Sequence, residues 1–201
     1  DEAVEKTLRD HGMQFSSANS INWGRLVPQC VYYFSAYCDL AAAGKLRMGE
    51  SFNVVVPTGN FGNILAAYYA REMGLPVARL ICASNRNRVL TDFIATGTYD
   101  RNRPFFPTTS PSMDILISSN LERLLYHLAD RDDAVIRTLM QELASKGTYT
   151  VPEAVKEKLS ALFDAGWCDD AGTAAAIADT YQKYGYLCDT HTAVGVKVYG
   201  D

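Results

Sequence analysis

The sequence predicts an α/β fold with parallel strands, and three adjoining stretches carry that prediction. Val54, Val55 and Val56 form a β-branched run that suits a strand packed on both faces, over Phe52–Pro57. Gly59 and Gly62 then turn the chain, and Asn63 to Met73, rich in Ala, Leu and Tyr, reads as a helix. Gly74 and Pro76 stop that helix, and Val77 to Ala83 is a second apolar strand. Strand, helix and strand in this order make a βαβ unit, whose strands run parallel.

The turn inside this unit has a chemical reading as well as a structural one. A helix that begins just after a glycine turn leaves its first N–H groups without internal acceptors, and its dipole favours an anion. Residues 57–63 therefore read either as a phosphate cradle or as an ordinary βα turn. They match neither the Walker pattern nor GxGxxG, because no Lys-Ser/Thr follows Gly62 and the glycine spacing differs.

The other elements follow in order. Val4 and Leu8 sit one helical turn apart, which predicts a short helix over 1–10. His11 and Gly12 end it, and Met13 to Phe15 suits a brief strand. Residues 16–22 are serines and asparagines in the main, and read as a loop and helix cap or as a loop that offers polar groups to a ligand. Trp23 to Lys45 reads as one long helix on the spacing of Leu26, Cys30, Phe34, Tyr37 and Cys38, with Pro28 in its early turns. Residues 84–87 lie at the carboxyl end of the second strand, where ligands gather in doubly wound sheets. A short helix over Val89–Ala95 stops at Gly97. Residues 99–112, with three prolines, read as an irregular connection, lid-like or mobile. Leu121–Ala129 and Ala134–Ala144 are amphipathic helices, Tyr149–Val151 a short strand, and Pro152 opens a helix that runs to Phe163. Asp169 or Asp170 caps a helix that Gly185 ends. Asp189 to Thr192 precedes a small-residue run, and by itself reads as a capped turn or as a hydroxyl placed in a site.

Composition excludes several classes. Apolar residues make up 48 % and charged residues 21 % of the 201, as a chain with a real core requires. The net charge is −4 and no basic patch interleaves with aromatics, which gives nucleic acid no surface. No apolar run is long enough to span a membrane, and the first residues do not form a signal peptide. The five cysteines are scattered and lack a C-x-x-C pair, so they read as reduced core residues of a cytoplasmic protein. The three histidines show no metal-ligand spacing. Both ends read as cuts through a longer protein, and residues 1–201 as one α/β cofactor-binding domain with an irregular loop at 100–112.

Three motifs together resemble those of one family. Ser17 to Arg25 is similar to the SxNSINWxR segment of threonine synthases. Pro57 to Asn63 resembles their loop for the 5′-phosphate of pyridoxal phosphate, and Asp189 to Gly195 resembles their DPHTAVG segment, with Thr190 in place of Pro. The resemblance implies the fold type II of pyridoxal-phosphate enzymes, the tryptophan synthase β type: a Rossmann-like, three-layer αβα domain with a mainly parallel sheet. It implies a cytoplasmic lyase that converts O-phospho-L-homoserine and water to L-threonine and phosphate. By the same resemblance Gly59, Asn60, Phe61, Gly62 and Asn63 hold the cofactor phosphate, and Thr192 meets the pyridine nitrogen. A hydroxyl there, instead of a carboxylate, disfavours a protonated ring. Asn19, Ser20 and Asn22 are candidates for the substrate side. The family's Schiff-base lysine lies in an S-F-K-D-like segment upstream of the SxNSIN motif. None of the seven lysines here has that context, so the chain reads as a part lacking that N-terminal segment and inactive alone. A threonine dehydratase or cysteine synthase relative, or a non-catalytic anion-binding domain, are the alternatives.

Overall fold

The computed structural model describes residues 2–13 and 19–201. The chain begins with helix α1 (Glu2–Asp10). The expectations for Gln14, Phe15 and Ser16–Ala18 lie outside the described residues. Asn22 caps α2 (Trp23–Leu26), its side chain accepting from the Gly24 N–H at 2.9 Å. The single helix expected over Trp23–Lys45 is interrupted. After α2 comes a 3-10 turn at Val27–Gln29, and only then α3 (Cys30–Ala42). Pro28 has no N–H to give to the preceding turn and its ring crowds that turn's carbonyl, so the chain tightens there. Leu26, Cys30 and Tyr37 are buried, whereas Val31 and Tyr32 are exposed.

The βαβ unit follows as expected: β1 (Phe52–Pro57), α4 (Gly62–Glu72) and β2 (Val77–Ser84), with β1 and β2 parallel. Next come α5 (Val89–Thr96), β3 (Thr98–Asp100), α6 (Leu121–Leu128), α7 (Asp133–Lys146), β4 (Thr148–Thr150) and α8 (Glu153–Leu162). Tyr99, expected in the irregular connection, lies in β3, which pairs antiparallel with β4, and its ring stacks on Tyr149 at 5.3 Å. Pro152 stands at the N-cap of α8, one residue earlier than expected. The chain ends with β5 (Phe163–Trp167), α9 (Asp170–Tyr184) and α10 (Thr190–Gly200).

β5, like β3, is a strand the sequence did not announce. It pairs parallel with β2 and makes the sheet order β1-β2-β5. Arg79 on β2 donates to the Asp164 carboxylate on β5 at 2.7 Å and to the Ala161 carbonyl at the end of α8 at 2.6 Å, which fixes that join.

The sheet is covered on both faces, which explains its apolar strands. Val56, Leu80, Cys82 and Phe163 belong to the large core shared with α4, α5, α6 and α8. Val55 and Ala83 belong to a smaller cluster with Val194 and Val198 of α10. Two glycines permit that second layer to lie close. A Cβ on Gly195 would stand 3.2 Å from Pro57 Cγ, and one on Gly166 would stand 2.7 Å from Val198 Cγ1. The result is a three-layer αβα domain around a parallel sheet, with α9 packed on α10.

The segment between β3 and α6 is irregular but clamped. The Asp114 carboxylate accepts from Asn85 Nδ2 at 2.8 Å, Asn87 Nδ2 at 2.9 Å, Thr108 N–H at 2.9 Å and Thr108 Oγ1 at 2.8 Å. Asn85 and Asn87 are buried at the carboxyl end of β2, so this connection is tied to the sheet and is not a free lid.

Candidate functional site

The glycine turn between β1 and α4 is built so that its carbonyls face protein and its N–H groups do not. Asn63 Nδ2 donates to the Pro57 carbonyl at 2.7 Å, and Ser118 Oγ to that of Gly59 at 2.9 Å. The Asn120 N–H donates to the Asn60 carbonyl at 3.1 Å, and the Leu65 N–H to that of Phe61 at 3.1 Å. The N–H groups of Gly59, Asn60, Phe61, Gly62 and Asn63 find no acceptor among the described residues. Five consecutive donors at a helix N-terminus form a concave patch of positive partial charge.

Phe61 gives the turn its shape. Its φ is +64°, the left-handed region that non-glycine residues seldom enter. Its ring is fully buried, 5.9 Å from the ring of Phe163 in β5, and this packing holds the unfavourable backbone in place. Phe61 thus contributes its backbone to the site, with its side chain pointing the other way. Gly59 is required by crowding: a Cβ there would come 2.7 Å from the Ser112 carbonyl.

The turn forms the floor of a cleft of about 470 Å³. Gly59, Asn60, Gly62, Asn63, Ser20 and Thr192 line it, so residues from all three sequence motifs converge on one space. Two of the sequence candidates have other work. Asn19 Oδ1 accepts from the Ile21 N–H at 3.2 Å, and Asn22 is the cap of α2. Neither lines the cleft. Ser20 does, and its segment is docked by Asn120 Nδ2, which donates to the Ser20 carbonyl at 2.9 Å.

Arg25, Gln29, Ser112, Met113, Asp189 and His191 also line the cleft and were not singled out from sequence. Arg25 and Gln29 come from the broken helix, Ser112 and Met113 from the clamped connection. Asp189 and His191 had a signal, as polar residues just before a helix, but capping accounts for such a pattern equally well.

The N-terminus of α10 lines the same cleft. Asp189 is its cap. Its carboxylate accepts from the His191 N–H at 2.8 Å, the Thr192 N–H at 3.2 Å and the Thr192 hydroxyl at 2.5 Å. These bonds, that of the hydroxyl first, hold the Asp189 carboxyl down at about 2. His191 Nε2 accepts from the Ser112 N–H at 3.2 Å, which places its ring proton on Nδ1, beside Asp189 Oδ1 at 3.2 Å.

The sheet and the cleft define the class: a three-layer α/β domain whose ligand edge is the carboxyl end of a parallel sheet. Comparison with known proteins narrows it. No family model matches the chain. It is 52 % identical over 193 residues to threonine synthase-like 1 of Homo sapiens, covering 96 % of this chain and 26 % of that protein. It is 40 % identical over 200 residues to threonine synthase of Pseudomonas aeruginosa, covering 98 % of this chain and 41 % of that one. Its fold matches the crystal structure of pyridoxal-phosphate-bound threonine synthase from Brucella melitensis with a TM-score of 0.88 at 42 % identity, over 99 % of this chain and 43 % of that one. Over nearly its whole length the chain is a relative of the threonine synthases. It spans about a quarter of the threonine synthase-like protein and about two-fifths of the synthases.

Proposed function

We propose that this chain supplies the cofactor-phosphate side of a pyridoxal-phosphate site, in a protein that converts O-phospho-L-homoserine and water to L-threonine and phosphate in the cytoplasm. The observation that carries the reading is the set of five N–H groups from Gly59 to Asn63, unclaimed among the described residues, above a turn whose carbonyls are tied back. A phosphate dianion matches that polarity, and it matches the adjoining helix N-terminus. Gly59 is needed for the turn to pack under Ser112, since a Cβ there would stand 2.7 Å from that carbonyl.

The bound cofactor would supply an electron sink for charge developing on the substrate carbons. The chain's own residues do the holding. The glycine turn would anchor the phosphate, and Thr192, which lines the same cleft, would present its hydroxyl to the ring nitrogen. Ser20, which lines the same cleft and shares a hydrogen bond with Ser119 Oγ at 3.2 Å, is the candidate hydroxyl for the substrate side. Arg25 brings a positive charge to the same cleft, suited to an anionic substrate. No lysine is among the cleft-lining residues described. The Schiff-base lysine is therefore assigned to a segment outside these residues, and the chain alone is read as binding without catalysing.

The test is phosphate release from O-phosphohomoserine by the full-length protein with pyridoxal phosphate bound. Release supports the reading. Tight cofactor binding without release would sink the synthase assignment and leave the anion-binding role standing.

A further inference from the structure

Trp23 belongs to the motif that runs from Ser17 to Arg25, yet it is not among the residues that line the cleft. It lines a second cavity of about 470 Å³, bordered by α2, α4, α6 and α7. Its ring meets that of Tyr69 edge-on at 5.6 Å, and the Tyr69 ring meets that of His127 at 5.4 Å. Tyr126 adds another ring to the same space. Trp23 is 53 % exposed, a large apolar side chain left half open.

The charges around these rings are not all paired within the protein. Glu122, Arg123, His127, Asp133 and Arg137 line the cavity beside the tyrosines. Asp133 and Arg137 bind each other at 2.8 Å. Burial, and Arg131 after it, push the His127 imidazole below its ordinary value, so it is neutral at pH 7, with Nε2 3.1 Å from the Tyr69 hydroxyl. Glu122 and Arg123 remain. They are neighbours on α6, about 100° apart around its axis. Among the described residues neither is in an ion pair. Arg123 donates to two neutral acceptors, Asn120 Oδ1 and the Ile21 carbonyl, the latter at 2.7 Å, and a guanidinium has further N–H groups to offer.

We propose that this cavity is a second ligand site, for an α-amino acid with an aromatic side chain, and that its occupancy is felt in the cleft. The aromatic side chain lies among Trp23, Tyr69 and Tyr126. The carboxylate takes the remaining N–H groups of Arg123, and Glu122 takes the ammonium. A ligand with only one of these charges meets one group of opposite sign and one of like sign, so it binds less well.

The route to the cleft is short. Arg123 holds the Ile21 carbonyl and Asn120. Asn120 Nδ2 donates to the carbonyls of Ser20 and Asn60, each at 2.9 Å, and the Asn120 N–H donates to that of Asn60 at 3.1 Å. Ser20 and Asn60 both line the cleft. A ligand carboxylate that fixes Arg123 therefore steadies Ser20 and the glycine turn together.

The experiment uses the full-length protein and para-fluoro-L-phenylalanine, followed by its ¹⁹F resonance. Its affinity should exceed those of para-fluorophenylacetate and para-fluorophenethylamine by about tenfold or more, since each lacks one charge-assisted contact. Glu122 and Tyr126 are exposed, so their replacement spares the core. Tyr126→Ala should weaken the amino acid about fivefold or more, and Glu122→Gln should remove its advantage over para-fluorophenylacetate. Bound amino acid should also slow exchange of the Asn120 amide about fivefold. Absence of binding at millimolar concentration, equal binding of the three probes, or unchanged binding in Tyr126→Ala overturns the site, as does an unchanged preference in Glu122→Gln. Binding that leaves Asn120 exchange as it was overturns the link to the cleft.

Discussion

The Ser112 N–H donates to His191 Nε2 at 3.2 Å, and this bond joins the clamped connection to the N-terminus of α10, both of which line the cleft. Met113, next to Ser112, packs in the same cluster as Val194 of α10, and the bond adds a polar tie to that contact. A hydrogen bond of this kind contributes about 1 kcal/mol. His191→Ala should therefore raise amide exchange at Ser112 about fivefold, read by hydrogen-exchange mass spectrometry of peptides covering 108–115. Exchange equal to the wild type would show that the walls are held without it.

The two glycines of the turn should differ in what they tolerate. A Cβ on Gly62 would stand 3.5 Å from Asn120 Nδ2, an ordinary contact, whereas one on Gly59 would stand 2.7 Å from the Ser112 carbonyl. Gly62→Ala should fold nearly as well as the wild type. Gly62→Asp should fold and lose phosphate-ligand binding, because a carboxylate then faces the anion. Gly59→Ala should cost about 1–3 kcal/mol in urea unfolding, the usual range for overpacking. Binding of pyridoxamine 5′-phosphate by Gly62→Asp at wild-type affinity would remove the cradle role from this turn.

Asp114 should matter for stability out of proportion to its distance from the cleft. It accepts from Asn85, Asn87 and Thr108, and the first two are buried. Asp114→Ala removes an acceptor that the three share: Asn85 keeps its bonds to Ser110 and Asn87 its bond to the Phe106 carbonyl, but the Thr108 N–H loses its partner, at about 1–3 kcal/mol. Chemical denaturation should show the loss, together with faster exchange in residues 101–116. A change within about 0.5 kcal/mol would mean that water replaces the carboxylate at no cost.

The α10 cap has a pH signature. The Asp189 carboxyl is lowered from 3.8 to about 2 in the folded chain. A depressed carboxyl contributes stability that is fully present above its unfolded value and is lost as pH falls through its folded one. The first turn of α10 should therefore fray between about pH 4 and 2, seen in the His191 and Thr192 amide resonances. Asp189→Asn should remove that transition, since the amide has no charge to lose.

Much of the fold was legible because its signals are local. The valine run, the two glycines and the stops at Gly74 and Pro76 place β1, α4 and β2 within a residue or so of their observed limits. β5 was not legible. Phe163 to Trp167 includes a glycine and an aspartate, follows α8 without a turn, and is made a strand by its pairing with β2 and by Arg79, a distant partner. The break at Pro28 was underrated because proline is tolerated in a first turn but shortens the turn it sits in. In the site, the glycine turn and Thr192 were visible as motifs. Ser112 and Met113 were not, because nothing in a polar, proline-rich connection says which residue the tertiary clamp will bring to the cleft. Asn19 and Asn22 each accept from a neighbouring backbone N–H, the capping use of short amides that the sequence allows beside the ligand one.

The packing of Phe61 on Phe163 has a consequence for how the molecule is made. The turn sits in the first third of the chain, and its left-handed residue is held by a ring in a strand near the far end. As the polypeptide leaves the ribosome, β1 and α4 emerge long before that ring does. Until Phe163 is synthesised the five N–H groups have no fixed direction, so the anion pocket forms late in biogenesis, when β5 docks, and a chain arrested before that point would carry the motif without the pocket.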